Sequence, residues 1–412
     1  MLIYKMYDRL EKLYISIIFG GLYFYGGIGA SSYLATPEYT IYFLIFISTF
    51  VLFYRLKFPL SHSLQNTIHY LRHNRVRLFA EESIYLMMII VAYIGICLIG
   101  LMYPEFKLKA LISPPAPNGL EALLSTIEVR KPDAASKLIF YIKLLLLPFY
   151  YISLSKFVKK PLILFLAIMV PLYLDYCSAG YIGRGMVLMN LGLWFVIIYW
   201  FNPRFRWLIS GLMVIGVPAI LISFYAYSLA RLGSSLDSVD NKANVIEMLF
   251  YEEVNFPDTF KEVVGSGRHV DLNGFLIWLC TLPIPKFLLG GVKVPVLNYE
   301  ISEIVLGISR YDDGFWVKLT GYISESYYIL GKWFFWLVAI LVSRLSKTLY
   351  FFFCDFPGGK VLIIYIAIYI GFMYSRAGLG AIMPTFSNGF LLVYLYFVYK
   401  VYFTKKMILY SS

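Results

Sequence analysis

Residues 320–342 read TGYISESYYILGKWFFWLVAILV. About 20 apolar residues suffice to carry a helix across a bilayer. This run is long enough, yet Glu325 lies at its start and Lys332 inside it. Before it lies the longest polar stretch of the chain, Arg231–Thr320, and after it the chain turns apolar again. This junction implies a membrane bundle interrupted by one large loop that ends where an apolar helix begins.

Working outward, apolar runs predict spans near 14–34, 38–54, 83–103, 138–155, 161–176, 186–201, 207–229, 322–342, 361–378 and 382–403. Composition agrees. Hydrophobic residues are 60% of the 412, charged residues 15%, and mean hydropathy is +0.72. A soluble domain carries about a quarter charged residues. The fold class expected is all-α, a polytopic transmembrane helical bundle of about ten spans. Residues 1–412 form one membrane domain, and 230–320 are its large external loop between spans seven and eight. The first apolar run is long enough to span, and no cleavage site of small residues follows it.

Basic residues orient the bundle. Lys5, Arg9 and Lys12, then Arg55, Lys57, Arg72, Arg75 and Arg77, then Lys156, Lys159 and Lys160 fall on alternate connections. Arg204 and Arg206, then Arg344, Lys347 and Lys360, and finally Lys400, Lys405 and Lys406 continue the pattern. The positive-inside rule then puts both termini in the cytoplasm and the Arg231–Thr320 loop outside. The net charge of +12 reports this orientation, and no nucleic-acid partner is implied. Within the loop, Gly274–Gly291 (GFLIWLCTLPIPKFLLGG) is apolar but broken by Pro283 and Pro285, so it reads as a half-helix lying on or dipping into the membrane. Four scattered cysteines and a basic loop holding His62, His69 and His73 make no metal cluster.

Charges at membrane depth are costly and ask for a function. Arg184, Arg231, Arg268, Arg310 and Arg376 lie at predicted outer ends of spans or in the outer loop. Arginine grips phosphate bidentately and never loses its charge. Converging on one cavity, they would suit a diphosphate; taken singly, each is an ordinary snorkelling or capping residue. Lys318, Gly321, Glu325 and Lys332 fall on one helical face if 318–332 is a continuous helix, which puts Lys332 below Glu325 and adds it to the phosphate-binding candidates. Glu325, His269 and Asp312 are the candidates to accept a proton from a hydroxyl. Against them, Asp312-Asp-Gly is an ordinary turn and Gly265-Ser-Gly-Arg-His an ordinary loop.

At these residues the chain resembles the Wzy-type oligosaccharide repeat-unit polymerases. Tyr181-Ile-Gly-Arg-Gly is similar to that family's Gly-Arg-Gly turn. Thr320-Gly-Tyr-Ile-Ser-Glu-Ser-Tyr-Tyr-Ile-Leu-Gly is similar to its late Glu, aromatic and Gly entrance, and Ser375-Arg-Ala-Gly to its late outer arginine. Arg310 and Gly321 keep the family's spacing of an Arg, ten residues and a Gly; no second copy starts at Arg231 or Arg268. The resemblance implies a GT-C-like glycosyltransferase without metal or other cofactor. Its partners would be undecaprenyl-diphosphate-linked oligosaccharide and membrane lipid, with a chain-length regulator as a further candidate. It would polymerise repeat units of an O-antigen or capsule at the outer face of a bacterial inner membrane. Two alternatives stand beside it. An O-antigen ligase carries a His-Asn pair in its large loop, whereas here Val270 follows His269. A lipid-linked oligosaccharide flippase, which is no enzyme, usually has short loops and internal repeats.

Overall fold

The computed structural model describes residues 2–56, 83–103, 106–113, 134–179, 184–212, 250–270, 272–282, 296–312, 315–354 and 358–396, with isolated positions among 214–222, 284 and 399. At 2–8, 83–84, 179, 184, 251–252 and 272 the description covers the backbone only. Arg231, Lys242, Asp313, Pro283, Pro285 and the loop with His62, His69 and His73 lie outside the described residues.

The described chain is helical. In order, its principal helices are α1 (Leu2–Ser31), α2 (Pro37–Arg55), α3 (Ser83–Met102), α4 (Ala134–Ser153), α5 (Pro161–Ala179), α6 (Arg184–Phe201), α7 (Phe256–Ser266), α8 (Leu272–Thr281), α9 (Leu297–Leu306), α10 (Tyr322–Phe334), α11 (Trp336–Phe353), α12 (Gly359–Tyr369) and α13 (Ser375–Pro384). Helix α2 shows why such segments form. Thr36 caps it by accepting the Tyr39 N–H at 3.2 Å, Pro37 occupies its first turn, Glu38 sits at its positive end and Arg55 at its negative end. Its buried residues, Tyr39, Tyr42, Phe43, Phe46, Ile47, Phe50 and Tyr54, recur at helical spacing and make one inward face.

Seven helices among the described residues are long and apolar enough to cross a membrane, or eight if the bent pair 185–201 and 203–216 counts as one span. The protein is thus a helical membrane bundle; the described residues hold seven or eight of the ten spans predicted, and much of 207–229 and the end of 382–403 lie outside them. Two glycines redraw the helices that the apolar runs predict.

The first is Gly331. The predicted span 322–342 is not one helix, because Gly331 breaks it at φ +68°, ψ −175°. That region is open essentially to glycine alone. Ring contacts show the chain reversing there. Tyr322 packs on Phe46 with centroids 4.8 Å apart, and Tyr327 lies on Tyr42 at 5.8 Å, so α10 runs antiparallel to α2. Phe335 returns to Tyr42 at 4.4 Å, and Ser343 donates to the Phe50 carbonyl, so α11 runs parallel to α2. The start of α10 lies inside the bundle: the Tyr322 hydroxyl donates to the Leu22 carbonyl at 3.1 Å. Leu22 is nine residues before the end of α1, about 14 Å along its axis. Residues 315–335 therefore enter and leave the bundle at the same end, as a re-entrant segment.

The second is Gly378. Residues 359–389 form one apolar stretch of helical turns, α12 and α13 joined and followed by π-helical turns at Ile370–Tyr374 and Thr385–Gly389. Gly378 interrupts it at φ +69°, ψ −161°. The Tyr369 hydroxyl lies 2.7 Å from Thr385 Oγ1. A straight helix would hold residues sixteen apart about 24 Å from each other. The stretch therefore doubles back at Gly378. It is also the core of the bundle: 78% of its most apolar window is buried, against 22–44% in the other six helices.

These two reversals overturn one sequence expectation. Lys318 precedes α10 and Gly331 breaks α10 ahead of Lys332, so Lys318, Gly321, Glu325 and Lys332 share no helical face. Lys332 is exposed beside the Trp333 ring at the Gly331 turn instead of two turns beneath Glu325. Of the expected Gly274–Gly291 half-helix, the described part is the ten-residue α8, about 15 Å long.

Candidate functional site

Glu325, the first-ranked base, is fully buried. The break at Gly378 leaves the next N–H groups without intrahelical acceptors, as at any helix start. Glu325 supplies them: its Oε2 accepts the Leu379 N–H, and its Oε1 accepts the Gly380 N–H at 2.9 Å. A carboxylate at a helix N-terminus also meets the positive end of the helix dipole. Gly378 makes the approach possible, since a Cβ there would stand 1.9 Å from Glu325 Oε2. The backbone of α10 is tied to the same turn, with the Gly321 N–H donating to the Arg376 carbonyl at 2.9 Å. Glu325 thus latches the re-entrant helix to the doubled-back one, and both of its oxygens are engaged.

Arg376 sits two residues before that turn. Its Nε donates to Glu253 Oε1 at 2.5 Å, and Glu253 is buried. The guanidinium carbon lies 5.0 Å from the Phe372 ring centroid and 5.9 Å from that of Tyr25. Partner and rings hold the group rigidly. Its Nη groups carry no hydrogen bond among the described residues, and the side chain keeps 20% of its surface exposed. They face the start of α6: a Cβ added to Gly185 would stand 3.2 Å from Nη1. The first N–H groups of α6 are free of intrahelical partners. A fixed guanidinium beside a helix N-terminus is an arrangement suited to an anion. Arg184 opens α6, so the fold brings Arg376 and the Arg184–Gly185 backbone together.

The other candidates are placed elsewhere. Arg310 is bound by Glu303 through Nε and Nη2, at 2.8 and 2.7 Å, and its own backbone N–H donates to the same carboxylate. This fork holds the Glu303 carboxyl below its ordinary range and raises the arginine further. Arg268 is exposed, near enough to favour the Glu303 carboxylate. Asp312 is exposed and accepts the Ser309 N–H at 2.8 Å, the ordinary turn that its sequence also allowed. His269 is exposed at the Gly331 turn, its ring 5.6 Å from that of Tyr327. Six residues separate Gly331 from Glu325, so His269 and the Glu325 carboxylate stand apart by about 9 Å of helical rise. Among the described side chains, Arg376 and Arg310 each have their own carboxylate.

Sequence reasoning passed over four participants. Glu253 has no motif around it. Glu300 holds the Tyr328 hydroxyl at 3.0 Å. Lys143 and Asp175 pair between α4 and α5, and this pair was legible, since each charge sits in an apolar run where its cost demands a partner.

No family model matches this chain, and no characterised protein or solved structure matches it.

Proposed function

We propose that this chain is a polysaccharide polymerase of the Wzy kind, a glycosyltransferase of GT-C-like architecture in a bacterial inner membrane. It would use a lipid-diphosphate-linked glycan as donor and a second lipid-linked repeat as acceptor. In this reading both termini are cytoplasmic, and the end of the bundle that carries Gly331 and Gly378 faces outward. The observation that carries the reading is Arg376: a guanidinium fixed by Glu253, Phe372 and Tyr25, with open Nη groups beside the first turn of α6.

The chemistry follows from that anion site. An acceptor hydroxyl attacks the anomeric carbon of the donor, and the bond from that carbon to the diphosphate oxygen breaks. Negative charge then grows on the departing lipid diphosphate. Arg376 and the α6 N–H groups meet it there, fixed in place before the charge develops. The hydroxyl proton passes to a base. With both oxygens of Glu325 taken by backbone N–H groups, Glu325 is a positioning residue in this scheme. His269, exposed and without a hydrogen bond among the described residues, takes the role of base.

Disruption of the gene tests the reading. Surface glycan reduced to single repeats supports it. Long polymer left on the carrier lipid indicates a ligase, and repeats trapped on the inner leaflet indicate a flippase. Unchanged glycan of full length overturns it.

A further inference from the structure

A cavity of about 390 Å³ opens behind the Glu325 latch, between α8, the start of α9, α4 and the doubled-back arm. Its volume is in the range of small-molecule sites, roughly 300–1,000 Å³. Two observations say what it would hold. Asn298 and Asn388 both line it, and each has a buried side-chain carbonyl oxygen without a hydrogen-bond partner. Buried polar atoms are nearly always satisfied, so two orphans among the lining residues ask for a donor from outside the chain. Among the described lining residues no side chain is charged, while Trp278, Tyr141, Tyr299 and Phe140 give the cavity aromatic walls. These features fit an occupant that bears hydroxyl or amide donors and has apolar faces. An acyl chain has the faces but no donors. A phosphate has no apolar face to lay against the aromatic walls.

We propose that this cavity is a saccharide-binding site, in which Asn298 and Asn388 accept hydrogen bonds from the hydroxyl groups of a sugar that lies against the aromatic wall. It sits next to the Glu325 latch. A Cβ added to Gly380 would stand 2.9 Å from Asn298 Oδ1 and 3.1 Å from Glu325 Oε1, so the latch and the cavity share one wall. The arrangement rests on the polymerase reading only in naming the sugar as part of the acceptor repeat: the acceptor is held on one side of the turn at Gly378, and the diphosphate on the other.

The test uses the full chain purified in detergent. The probe is the repeat-unit oligosaccharide released by acid from the host's own surface polysaccharide, and binding is read by tryptophan fluorescence and by calorimetry. Saturable binding is expected, weakened roughly tenfold by Asn388→Leu and by Asn298→Leu, about the worth of one buried hydrogen bond. Without ligand, these apolar replacements should leave the melting temperature equal or higher, because they remove an unsatisfied group. Asn388→Ser and Asn298→Ser, tested alongside, keep an oxygen and guard against misfolding of the leucine variants. Equal affinity in wild type and variants overturns the cavity assignment, as does absence of saturable binding. The two proposals fail separately. Asparagine-dependent binding with unchanged surface glycan in the disrupted strain sinks the polymerase reading alone. Shortened glycan with asparagine-independent binding sinks the cavity alone.

Discussion

Glu325 Oε1 accepts the backbone N–H of Gly380 at 2.9 Å, across 55 positions of sequence. One carboxylate thereby joins the re-entrant helix to the turn where the doubled-back arm reverses. The re-entrant α10 brings it in from Gly321, and the doubled-back arm presents its N–H groups just after Gly378.

The latch makes Glu325 a stability residue first. Glu325→Ala leaves the Leu379 and Gly380 N–H groups buried without acceptors, each costing about 1–3 kcal/mol. We expect a loss of roughly 2–5 kcal/mol, seen as a lower melting temperature of the purified protein. Glu325→Gln keeps one acceptor oxygen and turns an amide donor toward an N–H, so its loss falls between wild type and Ala. A Gln variant with wild-type melting and no chain extension would instead argue for direct chemistry by Glu325.

Gly378→Ala should be worse than Gly331→Ala. Both glycines hold backbone angles that cost other residues about 1–3 kcal/mol. At Gly331 the nearest atom to an added Cβ is 3.5 Å away, on His269. At Gly378 the added carbon would overlap the Glu325 carboxylate. Folded yield and melting temperature should rank wild type, then Gly331→Ala, then Gly378→Ala; the reverse order would contradict the latch.

Arg376→Ala strands the buried Glu253 carboxylate. Removing one partner of a buried pair costs about 3–5 kcal/mol. Adding Glu253→Ala removes the stranded charge, so the double variant should recover part of the melting temperature. Chain extension should stay lost in both, because the anion site is gone. Recovery of chain extension together with stability would make Arg376 purely structural.

The Glu303–Arg310 fork predicts a dependence on pH. The folded carboxyl of Glu303 titrates below its ordinary value of 4.5, chiefly through its hydrogen bond from the Arg310 side chain. A depressed acid contributes stability above its unfolded pKa and loses it as the pH falls through the folded one. Melting temperature should therefore decline on acidification below about 4.5, and less steeply in Glu303→Gln. Parallel curves for the two proteins would remove the fork from the stability account.

Much of the bundle was legible from apolar runs, because a spanning helix needs only length and hydropathy to declare itself. The breaks within the helices were not. A run such as 322–342 has the composition of one helix whether or not Gly331 takes a left-handed angle, and nothing local distinguishes the two. The candidate site was legible in part for the same reason. Arg376 and Glu325 stand out as charges near apolar segments. Arg310 stood out equally, and only its fork with Glu303, seven positions away, shows it to be already paired.

The amino-acid sequence by itself determined a helical membrane protein with one long polar loop, since transfer of side chains from water depends on composition alone. Tertiary structure decided the direction of each helix, the neighbours of each charge, and the burial of Glu325. Those depend on two backbone reversals and on partners 54 to 123 positions apart, which no local pattern encodes.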